Sequence, residues 1–210
     1  MTVGRIIETD ADVAEGAAAL AAMHPRIAHA LALTGPLPLR RRAGGFEALL
    51  SAIVSQQISV AAAKGIWARL EAQGATTEAG FSRLDAEGHR ACGLSRQKIR
   101  YATALAEAGV PFDDLPGMPD DDVIARLTAV TGIGVWTAEI YAMFSLGRAD
   151  VFAPGDLALQ EAARMLFALP ERPKERAFRA MAADWAPWRA VAARLLWAYY
   201  HVKKDREGIR

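Results

Sequence analysis

The sequence predicts an irregular all-α fold, and three observations carry that prediction. Apolar residues recur at three- and four-residue spacing through most of the 210 residues. The segments so marked are short, and breaks containing Gly or Pro separate them. Strand signals are poor, and no sustained heptad, internal repeat or low-complexity tail points to a long bundle or a repeat array.

Taken in order, Asp12 to Met23 is an alanine-rich helix with Asp10 or Asp12 as its cap. Pro25 interrupts or restarts it, and Thr34-Gly35-Pro36-Leu37-Pro38 is a break. From Phe46 to Gln57 the apolar set Phe46, Leu49, Leu50, Ile53 and Val54 marks one helical face. Ser59 opens a further helix to about Ala72, ended near Gly74. Phe81 to Gly88 reads as one short helix. Ser95 to Ala108 is amphipathic, and Gly109-Val110-Pro111 stops it. Pro119-Asp120 starts a helix to Ala129. The next begins at Gly134 or Val135 and runs to about Leu146, with Gly147 closing it. Leu157 to Leu169 and Pro173 to Ala183 follow. The last helix, Pro187 to Val202, places its proline in the first turn. Only Thr2 to Ile7 reads as extended.

Composition narrows the function classes. The length suits one large domain or two small lobes sharing a cleft, and 52% hydrophobic residues supply a sizeable core. The single cysteine, Cys92, excludes a disulfide framework, an all-cysteine zinc site and a four-cysteine iron–sulfur cluster. It suits a reducing, intracellular compartment. No signal peptide is recognisable, and no run approaches the roughly 18 apolar residues of a membrane span. The net charge of +1 is a weak footprint for nucleic acid. Basic residues nevertheless cluster at Arg40-Arg41-Arg42 and at Arg172, Lys174, Arg176, Arg179, Arg189 and Arg194. Acidic ones gather at Asp113-Asp114 and Asp120-Asp121-Asp122. For any one charge, a solvated helix face is the simpler explanation.

The stretch from Val130 to Ala138 carries the most chemistry. Two glycines, Gly132 and Gly134, bracket Ile133 and lead into a helix. An ordinary helix–Gly–helix connection has this form. So does a tight turn whose backbone N–H groups meet a phosphate without a basic side chain. The flanking Leu127, Val130, Ile140, Tyr141 and Phe144 make the second a much narrower pattern than two glycines alone. Ile133 is then the buried tip of the turn.

Asp156 follows at the start of another apolar run, where it is well placed as a helix N-cap. That role is compatible with catalysis, because N–H groups and the helix dipole favour a charged carboxylate. Beside a sugar whose C1′ becomes cationic, such a carboxylate stabilises an oxocarbenium-like transition state and orients water. Asp150 is the competing carboxylate, and a structural role is expected for it.

Trp136, Tyr141, Phe144, Trp185, Trp188 and Trp197 crowd the second half. Helical aromatics are most often core. Yet five tryptophans in an otherwise aliphatic chain also fit a pocket, since their faces attract cationic bases and flipped bases stack on aromatic walls. Ser55-Gln56-Gln57-Ile58-Ser59 is either a turn capped by Ser59 or a loop that enters duplex DNA where a nucleotide has left the stack. The four histidines, His24, His29, His89 and His201, show no metal-ligand pairing, so no catalytic metal is expected. No serine-nucleophile motif or nucleotide-binding Gly-rich loop is present.

These residues resemble the helix-hairpin-helix DNA glycosylase superfamily, which removes damaged bases from DNA. The likeness is strongest to its 3-methyladenine DNA glycosylase II (alkylbase-excision) branch. Besides Val130 to Ala138 with Asp156, it rests on three segments. Gly45-Phe46-Glu47 through Ile53-Val54-Ser55-Gln56-Gln57-Ile58-Ser59-Val60-Ala61 looks like the branch's wedge-loop region. Asp150-Val151-Phe152-Ala153-Pro154-Gly155-Asp156 looks like its catalytic-aspartate segment. Trp185-Ala186-Pro187-Trp188-Arg189 with Leu196-Trp197-Ala198-Tyr199 looks like its C-terminal helix. The resemblance covers about residues 40–203.

It implies a single irregular two-lobed helical domain over 1–210. About 45–150 would form the central lobe with the hairpin, and the N-terminal helix with 151–210 the other, around a cleft. By position, Asp156 would be catalytic, and Gly132 and Gly134, with Thr131, would bind phosphate. The Thr131 backbone would offer a monovalent cation site. Trp136, Trp197 and Tyr141 would line the damaged-base pocket. Gln57 would fill the gap left by the flipped base, with Gln56 beside it on the DNA.

Three departures refine the expectation. Bifunctional relatives carry a lysine where this chain has Trp136, so no strand-cleaving lyase activity is expected. The iron–sulfur cluster of endonuclease-type relatives is impossible with one cysteine. The β-rich lobe that opens longer bacterial members has no room before residue 40, so the compact form is expected. The resemblance thus implies a monofunctional glycosylase without cofactors, acting on 3-methyladenine, with 7-methylguanine as a second candidate, in damaged double-stranded DNA. A cytoplasmic monomer without membrane contact is expected, nucleoid-associated if bacterial. Two alternatives stay open: a non-catalytic damaged-DNA-binding protein, and a glycosylase for hypoxanthine, uracil or an oxidised purine.

Overall fold

A computed structural model describes residues 3–207, and among these the fold is helical throughout. The first half holds α1 (Asp10–Met23), α2 (Pro25–Thr34), α3 (Gly45–Ser55), α4 (Val60–Ala72), α5 (Glu78–Arg83) and α6 (Ala86–Ala91). The second holds α7 (Arg96–Glu107), α8 (Asp120–Thr128), α9 (Val135–Phe144), α10 (Leu157–Phe167), α11 (Glu175–Ala182) and α12 (Arg189–Glu207). Short 3-10 turns lie at Leu115–Gly117 and Ala183–Trp185. None of the described helices is long and apolar enough to cross a membrane.

The chain divides into two compact units, one of Met1–Val3 with Arg42–Tyr141 and the other of Gly4–Arg41 with Ala142–Arg210. In the first, α3 packs on α4 and α7, and α5 and α6 pack on α7. The face predicted from Phe46, Leu49, Leu50, Ile53 and Val54 is buried. Ser59 caps α4, its hydroxyl accepting from the Ala62 amide at 3.2 Å. The single helix expected over Phe81 to Gly88 is instead two, α5 and α6. Thr77 and Asp85 each cap a separate start, and Leu84 is extended between them. His89 lies in the core here, stacked on Phe81 with ring centroids 4.1 Å apart.

In the second unit α12 packs on α10, α2 and α1. The cap of α1 is Thr9 and not Asp10 or Asp12. Asp12 completes a capping box, accepting from the Thr9 amide while the Thr9 hydroxyl accepts from the Asp12 amide. Pro25 restarts the chain as α2, with His24 Nδ1 accepting from the Arg26 amide. Pro187 is not in the first turn of the last helix. It follows a cis peptide, and α12 begins at Arg189. Gly16 of α1 sits against Trp188, where a Cβ would come within 2.6 Å of the indole. The expected extended start reduces to one antiparallel bridge, Ile6 with Arg148, and Thr2 lies outside the described residues.

Candidate active site and nucleic-acid interface

The hairpin between α8 and α9 is a tight turn closed by the Ile133 amide donating to the Val130 carbonyl at 3.0 Å. Ile133 is buried as its tip, while Thr131, Gly134, Val135 and Trp136 are exposed. The two glycines are there for different reasons. Gly132 has φ +98°, and a Cβ on it would lie 2.3 Å from Tyr101 Cγ. The chain itself therefore requires glycine at 132. At Gly134 φ is not positive, and a Cβ would meet nothing within 4 Å. Packing leaves room for a side chain there, so glycine at 134 keeps the exposed start of α9 uncovered.

The loop after α3 is braced from two sides. Lys98 Nζ donates to the Val54 carbonyl at 2.6 Å, so the C-terminal end of α3 acquires a buried cationic donor. Burial lowers the pKa of this ammonium. Gln56 Nε2 donates to the Gly132 carbonyl at 3.1 Å, joining the loop to the hairpin. Gln57, next in sequence, has φ +56° and is exposed. A left-handed non-glycine residue at a loop tip is strained, and such strain is held by its surroundings.

The carboxylate belongs to the second unit. Asp156 caps α10, with Oδ1 accepting from the Ala158 amide at 2.9 Å and the Leu159 amide at 3.0 Å. Trp197 Nε1 of α12 donates to the same oxygen at 3.3 Å. The Trp197 ring packs on Phe144 at 5.8 Å, and the Arg194 guanidinium lies 4.7 Å from the Phe144 ring centre. Arg194 is buried and donates to the Leu39 and Ala190 carbonyls. Burial, with repulsion from Arg40 and Arg41, brings its pKa down to about 10. Asp150 is held in a two-pronged ion pair with Arg189, at 2.7 and 2.9 Å.

The structure thus brings together Asp156 with Trp197, and Gln56 with Gly132. Trp136 stands on the first turn of α9, 48% exposed, an unusual place for a tryptophan that serves only packing. Tyr141 is buried, and its hydroxyl accepts from the Gly45 amide at 2.8 Å, capping α3. Burial pushes its phenol pKa up. Trp185 and Trp188 are core. Of the second basic cluster, Arg172, Lys174, Arg176 and Arg179 are exposed, Arg179 pairing with Glu175, while Arg189 is half-buried against Asp150 and Arg194 is buried. Among the described residues no group of His, Cys, Asp and Glu is arranged to hold a metal ion. Sequence reasoning missed Tyr101, Lys98 and Arg194 as supports. Their partners are Gly132, Val54, Leu39 and Phe144, distant in sequence, and no local pattern announces such pairings.

Comparison with known proteins adds an independent line. The family model described as HhH-GPD superfamily base excision DNA repair protein matches residues 50–187. A Schizosaccharomyces pombe protein named DNA-3-methyladenine glycosylase 1 is 34% identical over 162 residues, covering 72% of this chain and 71% of its own. The crystal structure of DNA-3-methyladenine glycosidase from Bacillus halodurans superposes with a TM-score of 0.83 at 32% identity, over 96% of this chain and 95% of that one. The S. pombe 3-methyladenine DNA glycosylase Mag1, solved in complex with abasic DNA, gives 0.74 at 29% identity, over 87% and 95%.

Proposed function

The chain belongs to the HhH-GPD superfamily of base excision DNA repair proteins, and from that premise we propose that it is a DNA glycosylase that hydrolyses the N-glycosidic bond of alkylated purines. The preferred substrate is 3-methyladenine, with 7-methylguanine second, in damaged duplex DNA. The observation that carries this reading is the environment of Asp156: one carboxylate oxygen fixed by two helix-terminal amides and the Trp197 indole.

In this mechanism the hairpin takes a phosphate on the amides around Gly132 and Gly134, with Thr131 at its exposed edge. These contacts set position and carry no sequence information. By the family likeness, the Thr131 backbone carbonyl is the candidate ligand for a monovalent cation. Gln57 fills the gap left by the flipped nucleotide. The family likeness assigns Trp136, Trp197 and Tyr141 to base recognition: the exposed Trp136 offers a ring face to a cationic base, and Tyr141 is buried. An alkylated purine is already cationic and leaves without a general acid. Asp156 then has one task, to stabilise positive charge at C1′ and orient the attacking water. Lyase chemistry requires an amine nucleophile. Trp136 stands where the bifunctional relatives carry theirs, so the product is an abasic site in an intact strand.

The test is chromatography of bases released from methylated duplex DNA by the wild type and by Asp156→Asn. Release of 3-methyladenine by the wild type alone supports the assignment. No release by folded wild type would replace it with a damage-binding role. Strand nicking by the wild type would overturn the monofunctional assignment.

A further inference from the structure

Gln56 does something the family likeness did not assign to it. Its neighbour Gln57 faces solvent from a left-handed backbone, but the Gln56 side chain turns inward, and its Nε2 donates to the Gly132 carbonyl at 3.1 Å. On its other side Gly132 is pressed against the Tyr101 ring, closely enough that no Cβ would fit. The Tyr101 hydroxyl accepts from Gln97 Nε2 at 2.7 Å, and Arg100 lies over the ring at 5.2 Å. Lys98, which follows Gln97 on α7, holds the Val54 carbonyl two residues before Gln56. Gln56, Gln57, Gln97 and Lys98 line one pocket of about 220 Å³, together with Ile58 and Ile66. Loop, hairpin and α7 are therefore tied at three points, and loop and hairpin meet directly through a neutral amide hydrogen bond.

We propose that Gln56 is a positioning residue that locks the gap-filling loop and the phosphate-binding hairpin in one register. The peptide plane of Gly132 fixes where the hairpin amides point, and the backbone of Gln56 fixes where Gln57 emerges. A hydrogen bond between them makes insertion of Gln57 and grip on the phosphate one event. Without it, the hairpin still holds DNA, but Gln57 is no longer presented at a fixed distance from the held phosphate. This inference rests on the assignment of Gln57 as the inserting residue.

Binding, read without base release, tests it. Affinity is measured for an intact duplex and for the same duplex carrying a tetrahydrofuran abasic-site analogue. The proteins are wild type, Gln56→Met, Gln57→Ala and the double variant. Methionine keeps the length of the side chain and removes the donor. The ratio of abasic-duplex to intact-duplex affinity should fall about tenfold in Gln56→Met, as one lost hydrogen bond allows. Gln57→Ala should lose a similar preference. The double variant should be no worse than either alone, because both act at one step. Full preference in Gln56→Met, or additive losses in the double variant, would overturn the coupling. A uniform loss on both duplexes with a lowered thermal midpoint would make Gln56 merely structural. If the wild type itself shows no preference, or Gln57→Ala keeps it, the assignment of Gln57 has failed and the inference falls with it.

Discussion

The indole Nε1 of Trp197 donates to Oδ1 of Asp156 at 3.3 Å, across 41 residues of sequence. The same oxygen caps α10, so a single atom ties the start of one helix to the middle of another. The orientation of the carboxylate is thereby fixed by the fold before any substrate arrives.

Replacing Asp156 with asparagine keeps a good N-cap and an acceptor for Trp197 but removes the charge. Base release should fall by at least ~100-fold while duplex affinity and thermal midpoint hold, in line with the loss of a group that acts on transition-state charge. Equal losses in release and in binding would reassign Asp156 to DNA contact. Trp197→Phe should retain more release than Asp156→Asn, since it removes an orienting donor and leaves the charge in place.

The two hairpin glycines should separate cleanly. Gly134→Ala meets no protein atom, so stability should stay near wild type while duplex affinity drops about tenfold, the effect of losing roughly one charge-assisted hydrogen bond. Gly132→Ala combines a positive φ with overlap of Tyr101, and destabilises by about 1–3 kcal/mol from backbone strain alone. Thermal melts with duplex titrations distinguish them. A stable Gly134→Ala variant with full affinity would remove the hairpin from the DNA contact.

Trp136→Ala tests recognition of the cation. Release of 3-methyladenine should fall about tenfold, the size of a desolvated cation–π contact, with little change in affinity for undamaged duplex. Losses of equal size in both would indicate damage to the first turn of α9 and not a role in base recognition.

Much of this architecture was legible beforehand, for identifiable reasons. The α3 face and the caps at Ser59 and Asp156 depend on residues close in sequence, and side-chain type reports them directly. The hairpin was readable because its turn needs glycine for steric reasons that survive in any context. The α1 cap was misplaced by one residue or more because Asp12 takes the second half of the capping box, and either acidic residue looks like a cap when Thr9 is overlooked. The last helix begins at Arg189, two residues after the proline that suggested its start. Tyr101 and Lys98 sit on an amphipathic helix like any surface residues, and only the folded partner reveals their purpose.

The capping box also makes a prediction on the acid side. The Thr9 hydroxyl, then the Thr9 and Glu8 amides, then Arg5, all favour the charged form of Asp12 and hold its pKa well below the usual 3.8. A carboxylate whose folded pKa is depressed contributes stability above its unfolded value and loses it as pH falls toward the folded one. Asp12→Ala should therefore melt lower than wild type at pH 7, and the gap should narrow below pH 3.8. Melting curves at pH 7 and pH 3 decide it, and a gap independent of pH would remove the charge from the explanation.

The helix cap at position 156 bears on how such a protein fails. Asparagine, serine and threonine all start helices well, so under the role proposed for Asp156 a chain that loses its chemistry through one of them should still fold and bind duplex. Quality control that monitors unfolding would pass it. Such a variant should occupy lesions and shield them from working copies, a dominant failure that a destabilised chain would not show.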